Sequence, residues 1–242
     1  MKVEQIRYSL GANTFSGALV YEETVTRSRP AVLMAPNWMG VTSAAIDRAK
    51  LLASDRYVVF VADMYGEGKR PTNFEQAAAL ANPLRADPAE DKLRARAAFD
   101  CLLGEGSRRG LTDERRAAIG FCFGGGNVLD LARTGADLHA VVSIHGDLKT
   151  LAPAGRGDIK AALLAVHGAP DPVVPKSDRD AFENEMNTAG AKWQMVVFSD
   201  VLHAYTDEGA DVPTIAKYDE PAARQTYALT HAFLADAFAG RL

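Results

Sequence analysis

Short apolar segments recur along the chain, and each contains almost no polar residue. Uninterrupted runs of this length are typical of strands that are buried on both faces, as in a parallel sheet. They predict buried strands at residues 31–35, 57–62, 117–121, 140–144, 162–167 and 194–198.

The N-terminal part of the chain follows a different pattern. Two shorter runs, residues 5–9 and 17–22, are separated by the turn-forming residues Gly11, Asn13 and Ser16. Two strand-like runs joined in this way typically pair antiparallel. We therefore expect an antiparallel pair of strands at one edge of the sheet.

Apolar residues at helical spacing lie between the predicted strands. They predict helices at residues 43–52, 88–103, 124–133, 177–189 and 220–239. Alternating strands and helices predict a doubly wound, mostly parallel α/β sheet with helices on both faces. Because no repeat or linker interrupts the alternation, we expect residues 1–242 to form a single domain.

The strongest local motif lies where a predicted strand meets a predicted helix. Residues 120–124 read G-F-C-F-G, which is the G-x-S-x-G nucleophile elbow with Cys122 in place of serine. Glycines flank the nucleophile because the turn leaves no room for side chains, and the helix N-terminus favours a thiolate. A glycine-rich turn around a buried cysteine is the structural alternative. A phosphate loop is a weaker one, because no lysine follows the glycines.

A thiol nucleophile needs a base, and the base needs an acid that orients it. On such a sheet the three follow in the order nucleophile, acid, base. His203 lies in the loop after the last predicted strand, and Asp171 lies in a proline-stiffened loop after the preceding one. Asp147 is the second candidate for the acid. Structural roles are expected for the remaining histidines and for the second cysteine, namely His139, His145, His167, His231 and Cys101.

Composition and charge exclude several classes of function. The net charge is −4, and no dense Lys/Arg cluster is present, so the chain lacks the electrostatic footprint of a nucleic-acid-binding protein. The chain shows no run long enough for a membrane span and no signal-peptide pattern. Two cysteines are too few for a disulfide framework, which favours a reducing, cytoplasmic setting. Histidines and cysteines do not fall at metal-ligand spacings, so neither metal nor organic cofactor is expected.

Several segments together resemble the dienelactone hydrolase family: VLMAPNWMGV at 32–41, ADMYGEG at 62–68, GFCFGG at 120–125, HGAPDPVVP at 167–175 and VLHAY at 201–205. The resemblance implies an α/β-hydrolase fold. It also implies a Cys122–Asp171–His203 triad and an oxyanion hole formed by the backbone N–H groups of Phe123 and Trp38. The implied reaction is hydrolysis of a small ester or lactone without a cofactor.

The chain departs from that family at two positions. Asn37 stands where well-studied members carry a glutamate whose side chain exchanges position with the cysteine during activation. In the loop after His203, those members place an arginine that binds a substrate carboxylate, whereas this loop has Asp207 and no arginine. These changes argue against dienelactone itself as substrate. Arg85 is an alternative anion contact. The predicted substrate-binding residues are Asn37, Tyr65, Arg85 and Tyr205, and the predicted pocket wall contains Trp38, Met39, Tyr65, Phe123 and Tyr205.

Two other functions remain open from the sequence. The first is a weakly active or non-catalytic protein that binds small molecules and keeps the fold. The second is a redox-responsive protein with Cys122 as the sensor, although Cys101 is predicted too far away to act as its resolving partner. The sequence is compatible with a monomer or a homodimer.

Overall fold

The computed structural model describes residues 1–242, which form strands and helices in close alternation. The strands are β1 (Lys2–Leu10), β2 (Asn13–Tyr21), β3 (Arg29–Ala35), β4 (Val58–Val61), β5 (Thr112–Phe121), β6 (Ala140–Ile144), β7 (Ala162–Gly168), β8 (Trp193–Phe198), β9 (Asp211–Val212) and β10 (Ala216–Lys217). The helices are α1 (Ser43–Ala53), α2 (Phe74–Ala86), α3 (Pro88–Arg108), α4 (Phe123–Arg133), α5 (Lys176–Ala189) and α6 (Glu220–Phe238).

Strands β1 to β8 form one sheet in the order β1-β2-β4-β3-β5-β6-β7-β8. Strands β4, β3, β5, β6, β7 and β8 pair parallel with one another, whereas β2 pairs antiparallel with both β4 and β1 at one edge. The predicted doubly wound α/β architecture is therefore confirmed, including its antiparallel edge.

The central strands are apolar throughout because both of their faces are covered. On β3, Ala31, Leu33 and Ala35 pack toward helices α3 and α4, whereas Val32 and Met34 pack toward α1 and α6. The strand has no solvated face, so it shows no apolar–polar alternation. These two hydrophobic layers fix the carboxyl ends of β3, β5, β6 and β7 along one edge of the sheet.

The structure differs from the sequence-based predictions at three elements. Strand β8 is the far edge of the sheet and is only partly buried, so the prediction that both its faces are covered is wrong. Helix α2 was not predicted, because its buried residues are mainly small alanines and Pro83 interrupts the pattern. The short hairpin of β9 and β10 was not predicted either, because its strands have only two residues each.

None of the helices combines the length and the apolar character that a membrane span requires.

Candidate active site

Cys122 lies in a tight turn between β5 and α4. Its backbone has φ 52° and ψ −122°, a conformation that side-chain-bearing residues rarely adopt. A Cβ atom at Gly120 would overlap the Gly124 carbonyl, and one at Gly124 would overlap the carbonyl oxygens of Ala35 and Pro36. The glycines of the motif are thus required by direct backbone contact, as the sequence pattern predicts.

The structure brings the three predicted triad residues together. His203 Nε2 lies 3.1 Å from Cys122 Sγ, and His203 Nδ1 lies 2.8 Å from Asp171 Oδ2. All three side chains are buried, with residue exposures of 8% for Cys122, 5% for His203 and 2% for Asp171. The row has the geometry of a nucleophile, a base and an orienting acid.

The Asp171 carboxylate is held on its other side by its own loop. Its Oδ1 accepts the backbone N–H groups of Val173 and Val174, at 2.8 and 3.1 Å. One oxygen is thus fixed by the loop while the other faces His203. The alternative acid, Asp147, instead forms an ion pair with Arg85 at 2.7 Å.

The unpredicted hairpin holds the backbone of His203. The His203 N–H donates to the Ile215 carbonyl oxygen, and the Lys217 N–H donates to the His203 carbonyl oxygen, both at 3.1 Å. These bonds make His203 part of a small bridge with Ala216. Strand periodicity could not reveal this support, because the interaction joins a loop residue to a very short strand.

The charged form of His203 is stabilised by its two partners. Burial by itself opposes protonation, but hydrogen bonds to Asp171 and Cys122, together with the negative charges of both, outweigh it. The pKa of His203 therefore rises to about 10. Cys101 lies in α3, and burial, with a smaller effect of the Glu105 charge, raises the pKa of its thiol to about 11. That thiol is protonated at neutral pH and unreactive.

The two backbone groups expected to form an oxyanion hole lie next to the elbow. Phe123 is the first residue of α4, where helical N–H groups have no partner within the helix. The Trp38 N–H makes no hydrogen bond within the chain, and the Trp38 carbonyl oxygen accepts the Tyr65 hydroxyl at 2.8 Å. The contact of Gly124 with the carbonyls of Ala35 and Pro36 brings this loop against the first turn of α4.

A cavity of about 580 Å³ opens beside the elbow. Trp38 and Phe123 line it near the elbow, and the ion pair of Arg85 and Asp147 lies in its wall. The Arg85 guanidinium also lies 5.3 Å from the centre of the Phe123 ring. Arg85 thus borders the cavity, but its charge is already paired with a carboxylate.

The other predicted pocket residues differ in their positions. Tyr65 is buried behind the cavity and stacks on Phe123 with 5.7 Å between the ring centres. Asn37 donates to Asp207 at 3.2 Å and accepts the Met39 N–H at 3.0 Å, so its amide joins two loops. A contact of Asn37 with substrate stays a prediction.

The structure does not place Tyr205 at the cavity. Its side chain is fully buried in the opposite hydrophobic layer, and its hydroxyl lies 3.0 Å from the Thr226 hydroxyl. Tyr205 is therefore a core residue, and its prediction as a pocket wall is corrected. Met39 does not line the cavity either.

The remaining histidines occupy very different surroundings. His139 is exposed, and His231 stacks on Tyr57 at 5.8 Å between ring centres, far from the elbow in sequence. His145 and His167, in contrast, are almost completely buried at the ends of β6 and β7. Sequence reasoning assigned them structural roles and did not show that the His145 ring lies 5.2 Å from that of His203. No group of three or more His, Cys, Asp or Glu side chains is arranged to hold a metal ion.

The sheet topology and the strained turn between β5 and α4 define an α/β-hydrolase. The chain belongs to the dienelactone hydrolase family, whose family model matches residues 15–238. Together with its relatives, this membership makes the protein a carboxylic ester hydrolase.

Relatives and solved structures agree with that assignment. The solved structure named m3DLH is 33% identical, with a TM-score of 0.89 and 98% of each chain covered. A dienelactone hydrolase-like promiscuous phosphotriesterase from metagenomic libraries is 31% identical, with a TM-score of 0.88 and the same coverage. An Escherichia coli protein provisionally named carboxymethylenebutenolidase is 25% identical over 73% of this chain and 67% of its own length.

Proposed function

We propose that this hydrolase cleaves a small ester or lactone through a thioester on Cys122, with His203 as the base and general acid and Asp171 as the acid that orients it. The observation that carries the proposal is the continuous row from Cys122 Sγ to His203 at 3.1 Å and from His203 to Asp171 at 2.8 Å. A binding protein without catalysis would gain nothing from burying three ionisable groups in this arrangement.

In the first half of the reaction, the Cys122 thiolate attacks the carbonyl carbon, and the carbonyl π electrons move to the oxygen. The N–H groups of Phe123 and Trp38 hold that oxyanion, for which one donor typically contributes about 3 kcal/mol. The tetrahedral intermediate then collapses and the carbon–oxygen bond to the alcohol breaks. His203 gives its Nε2 proton to the leaving alkoxide, which leaves an acyl thioester on Cys122.

In the second half, His203 takes a proton from a water molecule, and the resulting hydroxide equivalent attacks the thioester. Acylation itself prepares His203 for this step. The hydrogen bond and the negative charge of Cys122 both raise the pKa of His203, and a thioester supplies neither. His203 therefore holds a proton less tightly in the acyl-enzyme, and because it has given its Nε2 proton to the alcohol, it is free to accept one from water. Collapse of the second intermediate returns the thiolate and releases the carboxylic acid.

The charges around the cavity favour neutral substrates. Its cationic lining residues are Arg85 and Lys149, and its ionised carboxylates include Asp147 and Asp178. Asp91 and Asp130 also border it, but burial raises the pKa of Asp91 to about 8, and Asp130 is paired with Arg133 at 2.9 Å. Because Arg85 is paired with Asp147, it offers little free charge to a substrate carboxylate. Asp207, in the loop after His203, is also a carboxylate. A neutral acyl or alcohol group avoids the repulsion that an anionic one would meet.

One comparison favours a second candidate activity, the hydrolysis of phosphotriesters. This chain is 31% identical to the promiscuous phosphotriesterase, with 98% of both chains covered. The same thiolate would attack phosphorus and expel an aryloxide, and the same backbone donors would hold the phosphoryl oxygen. The weakly active binding protein remains the alternative to both activities.

Mass spectrometry of the intact protein after brief mixing with neutral p-nitrophenyl esters tests the proposal. We expect the mass of one acyl group on the wild type and on Cys101→Ser, which serves as the matched cysteine control. Cys122→Ala should show no such mass and should lose ester hydrolysis. Turnover by Cys122→Ala at the wild-type rate would exclude the proposed nucleophile, and no turnover by either protein would favour the binding protein. Replacing the ester with paraoxon, a phosphotriester, tests the second candidate activity on the same variants.

A further inference from the structure

His145 is a buried histidine that the proposed mechanism does not use. It directly follows β6, is 1% exposed and has a backbone φ of 37°. Its ring atom Nδ1 is buried without a hydrogen-bond partner. A strained backbone and an unsatisfied polar atom both reduce stability, so an apolar residue would suit a purely structural position better.

The segment that contains His145 also holds the nucleophile. The Cys122 N–H donates to the carbonyl oxygen of Ile144, the residue before His145, at 3.1 Å. The Asp147 N–H donates to the Cys122 carbonyl oxygen, also at 3.1 Å. Cys122 is therefore fixed from both sides by residues within two positions of His145.

The His145 side chain contacts the loop that carries the base. Its Nε2 lies 2.8 Å from the hydroxyl oxygen of Thr206, three residues after His203. Its ring meets the His203 ring nearly edge to face, with an interplanar angle of 68° and 5.2 Å between centres. The Thr206 carbonyl oxygen also accepts a bond from Arg48, which fixes the loop from a third element, α1.

We propose that His145 is a positioning residue, which fixes the distance and orientation between Cys122 and His203. Its backbone neighbours hold the thiol-bearing turn, while its ring holds the imidazole and its loop. The proposal rests on the proposed function of the Cys122–His203 pair. A histidine suits the position because its ring fills the space beside His203 and also bonds Thr206, which neither phenylalanine nor leucine does.

The ring must also be neutral to lie against a protonated His203. Burial, followed by the charges of His203, Arg48 and His167, lowers the pKa of His145 well below its ordinary value. These are the titratable and charged groups that face it from the His203 loop, α1 and β7. His145 therefore does not carry a like charge beside the imidazolium of His203.

Two variants remove the same hydrogen bond from opposite ends. His145→Phe keeps a ring beside His203, and Thr206→Val keeps the shape of the side chain. We expect both to lower kcat by about 10- to 100-fold with little change in KM, because a small misplacement of reacting groups has an effect of this size. The double variant should be no worse than the more affected single one, because all three lack the same bond.

The rate at which iodoacetamide alkylates Cys122 supplies a readout that a purely structural role would not change. We expect both variants to react more slowly than the wild type at pH 7, with the pH profile shifted toward higher pH, because the thiolate loses a well-placed imidazolium. His231→Phe removes a remote histidine and serves as the control, with an unchanged profile. Thermal melting separates misplacement of the Cys122–His203 pair from unfolding of the protein. If His145→Phe does not fold, Thr206→Val alone tests the positioning role.

Unchanged kcat and alkylation profiles in folded Thr206→Val and His145→Phe would overturn the proposal. That outcome differs from a failure of the proposed function, in which Cys122→Ala would retain the wild-type activity.

Discussion

Asp171 Oδ2 lies 2.8 Å from His203 Nδ1, while the other oxygen of the same carboxylate is held by two N–H groups of its own loop. The loop thus aims the carboxylate, and the carboxylate aims the imidazole. The hydrogen bonds that Asp171 accepts on both of its oxygens are therefore as important to its role as its negative charge.

Asp171→Asn tests that relationship. The amide oxygen can keep the bonds to Val173 and Val174, and the NH₂ group then faces His203, which favours the tautomer with the proton on Nε2. We expect kcat to fall by about 10⁴-fold, as in other triads with this change. Steady-state kinetics measures the loss, and circular dichroism melting checks the fold. The exposed Asp200→Asn is the control, and a loss below tenfold for Asp171→Asn would contradict the acid role.

Substrate charge should matter because of the ion pair between Arg85 and Asp147. At low salt we expect p-nitrophenyl butyrate to be cleaved with a kcat/KM at least about tenfold higher than the p-nitrophenyl monoester of succinate, since like charges oppose binding. Asp147→Asn removes the carboxylate that neutralises Arg85 and should reduce the difference in kcat/KM between the two esters. Equal rates for the two esters in the wild type would show that the cavity charges do not select the substrate.

Stability toward acid should depend on His167. Burial is the main reason why the pKa of His167 falls from 6.5 to about 3. The unfolded chain therefore binds this proton at a higher pH than the folded chain does. As the pH falls from 6.5 to 3, the free energy of unfolding should decrease by about 1.4 kcal/mol per pH unit for each histidine of this kind.

His167→Leu removes the titrating group at similar volume, and chemical denaturation at several pH values measures the slope. In this variant we expect the free energy of unfolding to change less steeply with pH in this range, by the equivalent of about one proton. An unaltered slope in His167→Leu would mean that other groups control unfolding in acid.

The glycines of the elbow should tolerate no side chain. In Gly124→Ala the new Cβ would overlap the carbonyl oxygens of Ala35 and Pro36, which belong to β3 and the loop after it. Backbone atoms there cannot move without shifting the Trp38 loop, so we expect destabilisation of about 3 kcal/mol or more. Urea denaturation measures it. Gly104→Ala, where no atom lies within 4 Å of the new Cβ, is the matched control.

Much of the fold could be predicted from local patterns. Strand β6 has the predicted bounds, and most other predicted elements differ from the observed ones by a few residues at their ends. The predictions failed where an element depends on partners remote in sequence. Helix α2 buries mainly alanines, the β9–β10 hairpin is too short for a pattern, and β8 is an edge strand despite its apolar residues.

The sequence by itself determined the α/β architecture, the strained turn at Cys122 and the set of residues able to act with it. Those features depend on hydrophobic periodicity and on glycine, which act over a few neighbouring positions. Only the tertiary structure decided that Tyr205 is a core residue, that Asp147 pairs with Arg85 and that the His145 ring lies beside the ring of His203. These relationships depend on distances and angles between elements, which packing fixes and which no local pattern encodes.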